Sequence, residues 1–161
     1  MTVTLTTQAM VAKIQKAFGD EPVPPPNDVL GVGYRTSIDA EEMLIAFRGK
    51  HWTQLSTESL FYHREMIRTL SAAGYRAYIA AFMRASLEDG RYASDLRGYT
   101  ISSFQPLEDT PERHDESREQ LSLLTKGQRA TIAEYLQYLA GTCNVEEAAR
   151  ILEDWATRHE P

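Results

Sequence analysis

Leu124–Leu136 reads L-T-K-G-Q-R-A-T-I-A-E-Y-L. Thr125 and Gln128 stand in the T-x-x-Q spacing of a capping box, in which the two side chains satisfy each other's backbone N–H groups. Ile132, Tyr135, Leu136 and Leu139 then recur at helical spacing until Gly141. A helix with one apolar face needs another element to cover that face, so the stretch predicts a helical partner nearby.

The partner is expected immediately downstream. Asn144 and Glu147 repeat the box spacing, and Val145, Ala148, Ala149, Leu152, Trp155 and Ala156 trace an apolar stripe. Glu146 with Arg150, and Asp154 with Arg158, are i,i+4 pairs in the favourable order, each worth about 0.3–0.5 kcal/mol.

Upstream the same periodicity returns. Met10, Ile14, Ala17 and Phe18 predict a helix over residues 7–18, capped by Thr6 or Thr7. Gly19 and the prolines at 22, 24, 25 and 26 end it in a stiff, extended connector. Asp39, with Glu42 three residues on, is expected to cap a second helix with Ala40, Met43, Leu44 and Phe47 on its apolar face. Ser56 or Thr57 opens a third, running to about Leu70 through Leu60, Phe61 and Ile67. Ser71–Gly74 reads as a break or tight joint. A fourth runs from Tyr75 to about Leu87, with small residues Ala77, Ala80, Ala81 and Ala85 permitting close approach.

Val29–Tyr34 reads V-L-G-V-G-Y. A short strand is conceivable there. The third glycine of a dinucleotide fingerprint is missing, as is its strand–helix context. Residues 91–119 are expected to form a long connection. Tyr99, Ile101 and Phe104 would pin its first part, while its polar, acidic second part has little to bury against the cost of ordering. The expected architecture is therefore all-α: residues 1–161 as a single irregular bundle of about five to seven helices, with a long, partly mobile loop over 91–119 before the last two.

The 161 residues carry a hydrophobic fraction of 42% and a charged fraction of 25%, typical of a soluble domain. No apolar run approaches the roughly 20 residues of a spanning helix. The start, M-T-V-T-L, lacks a basic, apolar leader. The lone Cys143 forbids an internal disulfide. Together these predict a cytoplasmic protein. The net charge of −6 sits wholly in residues 101–161, which hold 6 Lys/Arg against 12 Asp/Glu. That balance argues against nucleic acid and for a basic protein partner.

The four histidines, His51, His63, His114 and His159, show no metal-ligand spacing. No G-x-S-x-G elbow or phosphate loop is present. No metal or cofactor is expected. His63 shares a stripe with Leu60 and Ile67, and is read either as a satisfied core residue or as an acid–base group in a cleft. Trp52, after Gly49, Lys50 and His51, is read as a core anchor or a binding hot spot. Tyr75 and Tyr78 on one helix, and Tyr135 and Tyr138 on another, either line a groove or fill the core. Cys143 is read as a small core residue or as a thiol beside a helix N-terminus.

A helix ending at Phe18 is followed by G-D-E-P and a proline-rich link. F-R-G-K-H-W (Phe47–Trp52), L-S-T-E-S-L (Leu55–Leu60), A-Y-I-A-A-F (Ala77–Phe82) and the Leu124 segment follow in order. This succession, from about Ala17 to Trp155, resembles a bacterial family of small single-domain helical proteins of unknown function. The resemblance implies a helical fold and carries no activity and no site residue. One departure is visible: the family pattern often has proline where this chain has Ala80, so a straighter fourth helix is expected.

Two functions follow as expectations. The first is a non-catalytic, acidic protein-binding module of immunity or accessory type, with Glu112, Asp115, Glu116, Glu119 and Trp52 as binding residues. The second is a small-molecule-binding protein or enzyme with a cleft near His63, Tyr75 and Tyr78.

Overall fold

The computed structural model describes residues 5–159. The first four residues of the N-terminal stretch, and Glu160 and Pro161, lie outside the described residues. The helices are α1 (Thr7–Phe18), α2 (Ile38–Phe47), α3 (Thr57–Tyr62), α4 (Ala72–Ser86), α5 (Ala93–Ser102), α6 (Pro111–Leu121), α7 (Lys126–Thr142) and α8 (Glu146–Arg158). Among the described residues no strand forms beyond a single bridge between Leu30 and Leu70. The protein is an all-α bundle around one core.

α4 is the centre. It packs against α1, α3, α5 and α6. Eleven of its fifteen residues are buried, as a helix apolar on nearly every side requires. It runs unbroken through Ala80. Ser71 caps it, its hydroxyl accepting from the Gly74 N–H at 2.9 Å. Of the break or tight joint expected at Ser71–Gly74, the joint lies at Ser71, and Ala72–Gly74 already form the first turn of α4. Gly74 is needed there because a Cβ would lie 2.1 Å from the Val29 carbonyl oxygen. Removing the side chain lets the 29–30 segment lie directly on the helix, where the Val29 carbonyl also accepts from the Ser71 N–H at 2.9 Å.

α7 and α8 form the antiparallel pair that the capping box announces, and α7 also packs on α1. Both halves of the Thr125–Gln128 box form. The box expected at Asn144 does not. Asn144 takes φ 53°, a left-handed conformation that Asn tolerates, and Val145 begins α8 without a side-chain cap. The buried face of α8 is Ala148, Ile151 and Trp155, rotated from the expected stripe, so that Ala149 and Ala156 are exposed. Asp154 and Arg158 pair at 3.1 Å as expected, whereas Arg150 reaches Glu147 at 3.5 Å rather than Glu146.

Three boundaries move. Ser37, not Asp39, caps α2, accepting from the Ala40 N–H at 3.1 Å. The third helix is α-helical only to Tyr62, and a tighter 3-10 turn carries Arg64–Thr69. It still buries Leu60, Ile67 and Leu70. The largest correction concerns residues 91–119. They hold α5 and the greater part of α6 rather than a long loop.

α5 buries Leu96, Thr100 and Ile101, with Phe104 beyond its end. α6 starts with Thr110 accepting from the Arg113 N–H at 3.3 Å and with Pro111 in the first turn. Its buried side chains are Ser117, Gln120 and Leu121. Gln120 donates to the Ile67 carbonyl at 3.0 Å and the Leu70 carbonyl at 2.8 Å. Ser117 accepts from the Leu107 N–H at 2.9 Å. Polar latches replace the apolar stripe, so the periodicity that marks the other helices is missing here.

Candidate functional site

Trp52 is 1% exposed, and its indole donates to the Phe18 carbonyl at 2.9 Å. It ties the end of α1 to the core and is not part of a binding surface. Tyr75 and Tyr78 are fully buried. The Tyr75 hydroxyl meets Ser103 Oγ at 2.8 Å, and Tyr78 donates to the carbonyls of Phe47 and Lys50 at 3.2 Å each. Burial holds both phenols above their usual pKa. Tyr135 is likewise buried, 2.6 Å from Ser86 Oγ.

His63 is 7% exposed. Its ring meets Phe47 edge-on at 5.9 Å and Tyr62 at 4.9 Å. Burial pushes the imidazole below its usual pKa, against a smaller upward pull from Glu42. The four side chains expected as a hot spot or a cleft are thus packing residues, because each aromatic body finds apolar cover while its polar tip finds a nearby partner or the edge of the core. Cys143 is a free, half-buried thiol at the end of α7.

The acidic residues behave differently. Glu112, Asp115, Glu116 and Glu119 are all exposed on α6. Their i, i+3, i+4, i+7 spacing puts them in one stripe along the helix, on the side away from Ser117, Gln120 and Leu121. The notional loop would have scattered these carboxylates; the helix aligns them.

Clefts open at the margins of α6. One, of about 280 Å³, lies between α6 and the segment Leu30–Arg35. Arg35, Arg68 and Arg113 line it together with Glu116 and Glu119. Arg68 is committed to structure there, donating to the Gln105 carbonyl at 3.1 Å and to the Ser102 carbonyl. Another, of about 520 Å³, lies among α6, α7 and the end of α8, and includes Arg118, Arg129 and Arg158. His63 borders neither. Among the described residues, no three His, Cys, Asp or Glu side chains are grouped to hold a metal ion. Nor is any helix among them long and apolar enough to cross a membrane.

A family model described as a family of unknown function (DUF6714) matches residues 8–158. The chain belongs to this family. No curated protein and no solved structure matches it. The family match spans the helices from α1 through α8, so both margins of α6 lie within it.

Sequence reasoning missed the arginines of this DUF6714 domain. Arg118 and Arg158 are forty positions apart, and only the return of α8 alongside α7 brings them to one cleft. The signal for α6 itself was present in Thr110-Pro111-Glu112, which has a cap residue, proline at the first helical position and an acid in the first turn.

Proposed function

We propose that the protein is a non-catalytic binding module of cytoplasmic, bacterial origin, of immunity or accessory type, whose α6 docks a basic segment of a partner protein. The reading rests on one observation: Glu112, Asp115, Glu116 and Glu119 form a single exposed stripe on a helix held from behind by Gln120. At 1.5 Å per residue the stripe is about 10 Å long, which suits a helix or strand carrying several Lys or Arg side chains. Each exposed carboxylate adds little alone. Aligned, they steer a basic partner into register and speed its encounter. Trp52 has no part in the docking face.

The test is quantitative affinity capture from the native host with the protein and with the Glu112→Gln, Asp115→Asn, Glu116→Gln, Glu119→Gln variant. The expected result is a basic protein retained by the first and lost from the second, with both variants melting alike. Identical captured sets would contradict the reading.

A further inference from the structure

We propose that the cleft among α6, α7 and α8 binds a soluble organic phosphomonoester, its phosphate held by arginines and its apolar body lying along α7 and α8. Residues 101–161 contain only 6 Lys/Arg. Three of them, Arg118, Arg129 and Arg158, line one cleft of about 520 Å³ with His114 and His159, and no carboxylate among the described residues lines it. A fourth, Lys126, joins Ala130, Ala133, Trp155 and Ala156 around a second cleft of about 520 Å³. The two meet at Arg129 and His159, which line both. A chain region of net charge −6 therefore gathers most of its cations around one depression, which also holds the apolar surface of Trp155 and three alanines.

The cations are incompletely neutralised. Arg118 makes no ion pair or hydrogen bond among the described residues. Arg129 offers a weak bond to the Ser122 carbonyl at 3.4 Å, while its Nε is buried with no partner. Arg158 is the most satisfied, donating to Asp154 at 3.1 Å and lying 3.8 Å from Glu108. His114 lies 3.7 Å from Asp115. His159 registers the local field: after burial, the charges of Arg129 and Arg158 hold its imidazole below the usual pKa.

Guanidinium forks match phosphate oxygens in pairs, and two under-used arginines suit a dianion better than a single carboxylate. The neighbouring half adds apolar surface. Trp155 spends its indole N–H on the Arg129 carbonyl at 3.2 Å, and Ala130, Ala133 and Ala156 line that half with it, beside Lys126, Arg129 and His159. A ligand with a charged head and an apolar body fills both halves, and each volume lies within the roughly 300–1,000 Å³ of small-molecule sites.

The probe is 1-naphthyl phosphate, titrated by calorimetry into the protein with all 161 residues, so that the Glu160 carboxylate following His159 is present. Inorganic phosphate and 1-naphthol are the half-ligand controls. The expected result is saturable binding of naphthyl phosphate about tenfold or more tighter than either half alone. Arg118→Gln, at an exposed side chain outside the core, weakens it about tenfold. Ala130→Glu, at an exposed helix position, removes it by filling and repelling. Circular dichroism checks that both variants fold. No saturable binding, or an affinity unchanged in either folded variant, overturns the proposal. Sedimentation with phosphatidylcholine vesicles containing phosphatidic acid separates the sources: binding to vesicles without binding to naphthyl phosphate would overturn it as well.

Discussion

α4 and α6 are both regular helices in contact with each other, and they spend their residues in opposite ways. α4 buries Tyr75, Tyr78, Ile79, Phe82 and Met83 and keeps almost no face for solvent. α6 buries Ser117, Gln120 and Leu121 and turns Glu112, Asp115, Glu116 and Glu119 outward. Stability is concentrated where no partner can reach. The charges that can meet a partner ride on a helix attached by a few polar contacts. A surface helix of this kind can change its exposed residues freely, because packing asks little of them.

The contrast is broken most severely from the α4 side. Phe82→Ala removes a fully buried ring from the centre of the core. It should cost about 3–5 kcal/mol of unfolding free energy in urea titrations, through lost burial and the cavity left behind. A loss near zero would mean that α4 is not the centre of the fold.

Gln120→Ala strikes the latch of α6. It leaves the carbonyls of Ile67 and Leu70 without their donor. The expected cost is about 1–3 kcal/mol, with α6 becoming more sensitive to protease than α4. Thr110→Ala removes the cap alone. Its expected cost is about 1 kcal/mol, read as a small fall in melting temperature.

These helices also mark what could be read from the sequence. α7 was legible because capping and periodicity agree at Thr125, Gln128, Ile132, Tyr135 and Leu136. α1 was legible for the same reason. α6 reads as a loop in the sequence because its inward face presents Gln120 to carbonyls of a distant turn and Ser117 to the Leu107 N–H just upstream, and no periodic signal encodes such partners. The acidic residues stand out in the sequence by their charge, while their exposure in one stripe depends on a helix that hydrophobic patterning does not reveal. Trp52 reads as core anchor or hot spot, and Tyr75 and Tyr78 as core or groove, because an amphipathic aromatic serves in either place. Their hydrogen bonds to Phe18, Ser103, Phe47 and Lys50 decide the matter, and these are long-range facts.

The smallest expected effect is a pH slope. Burial depresses the pKa of both His63 and His159 relative to the unfolded value of 6.5. The unfolded chain therefore takes up protons first as pH falls. Stability from these groups is fully present above 6.5 and declines as pH drops from there through their folded pKa values. Denaturation at pH 7.5 and pH 5.5, choices set to bracket about 6.5, should show lower stability at the acidic point. His63→Gln should flatten the slope if it folds; a slope of the opposite sign would contradict the neutral, buried imidazole.

Amide hydrogen exchange resolved along the chain tests the division of labour most directly. The α4 amides should exchange only with global unfolding. The α6 amides should be protected, yet open at a lower free energy, and Gln120→Ala should lower the α6 value much more than the α4 value. Unprotected amides throughout Pro111–Leu121, or α6 protection equal to that of α4, would contradict the account.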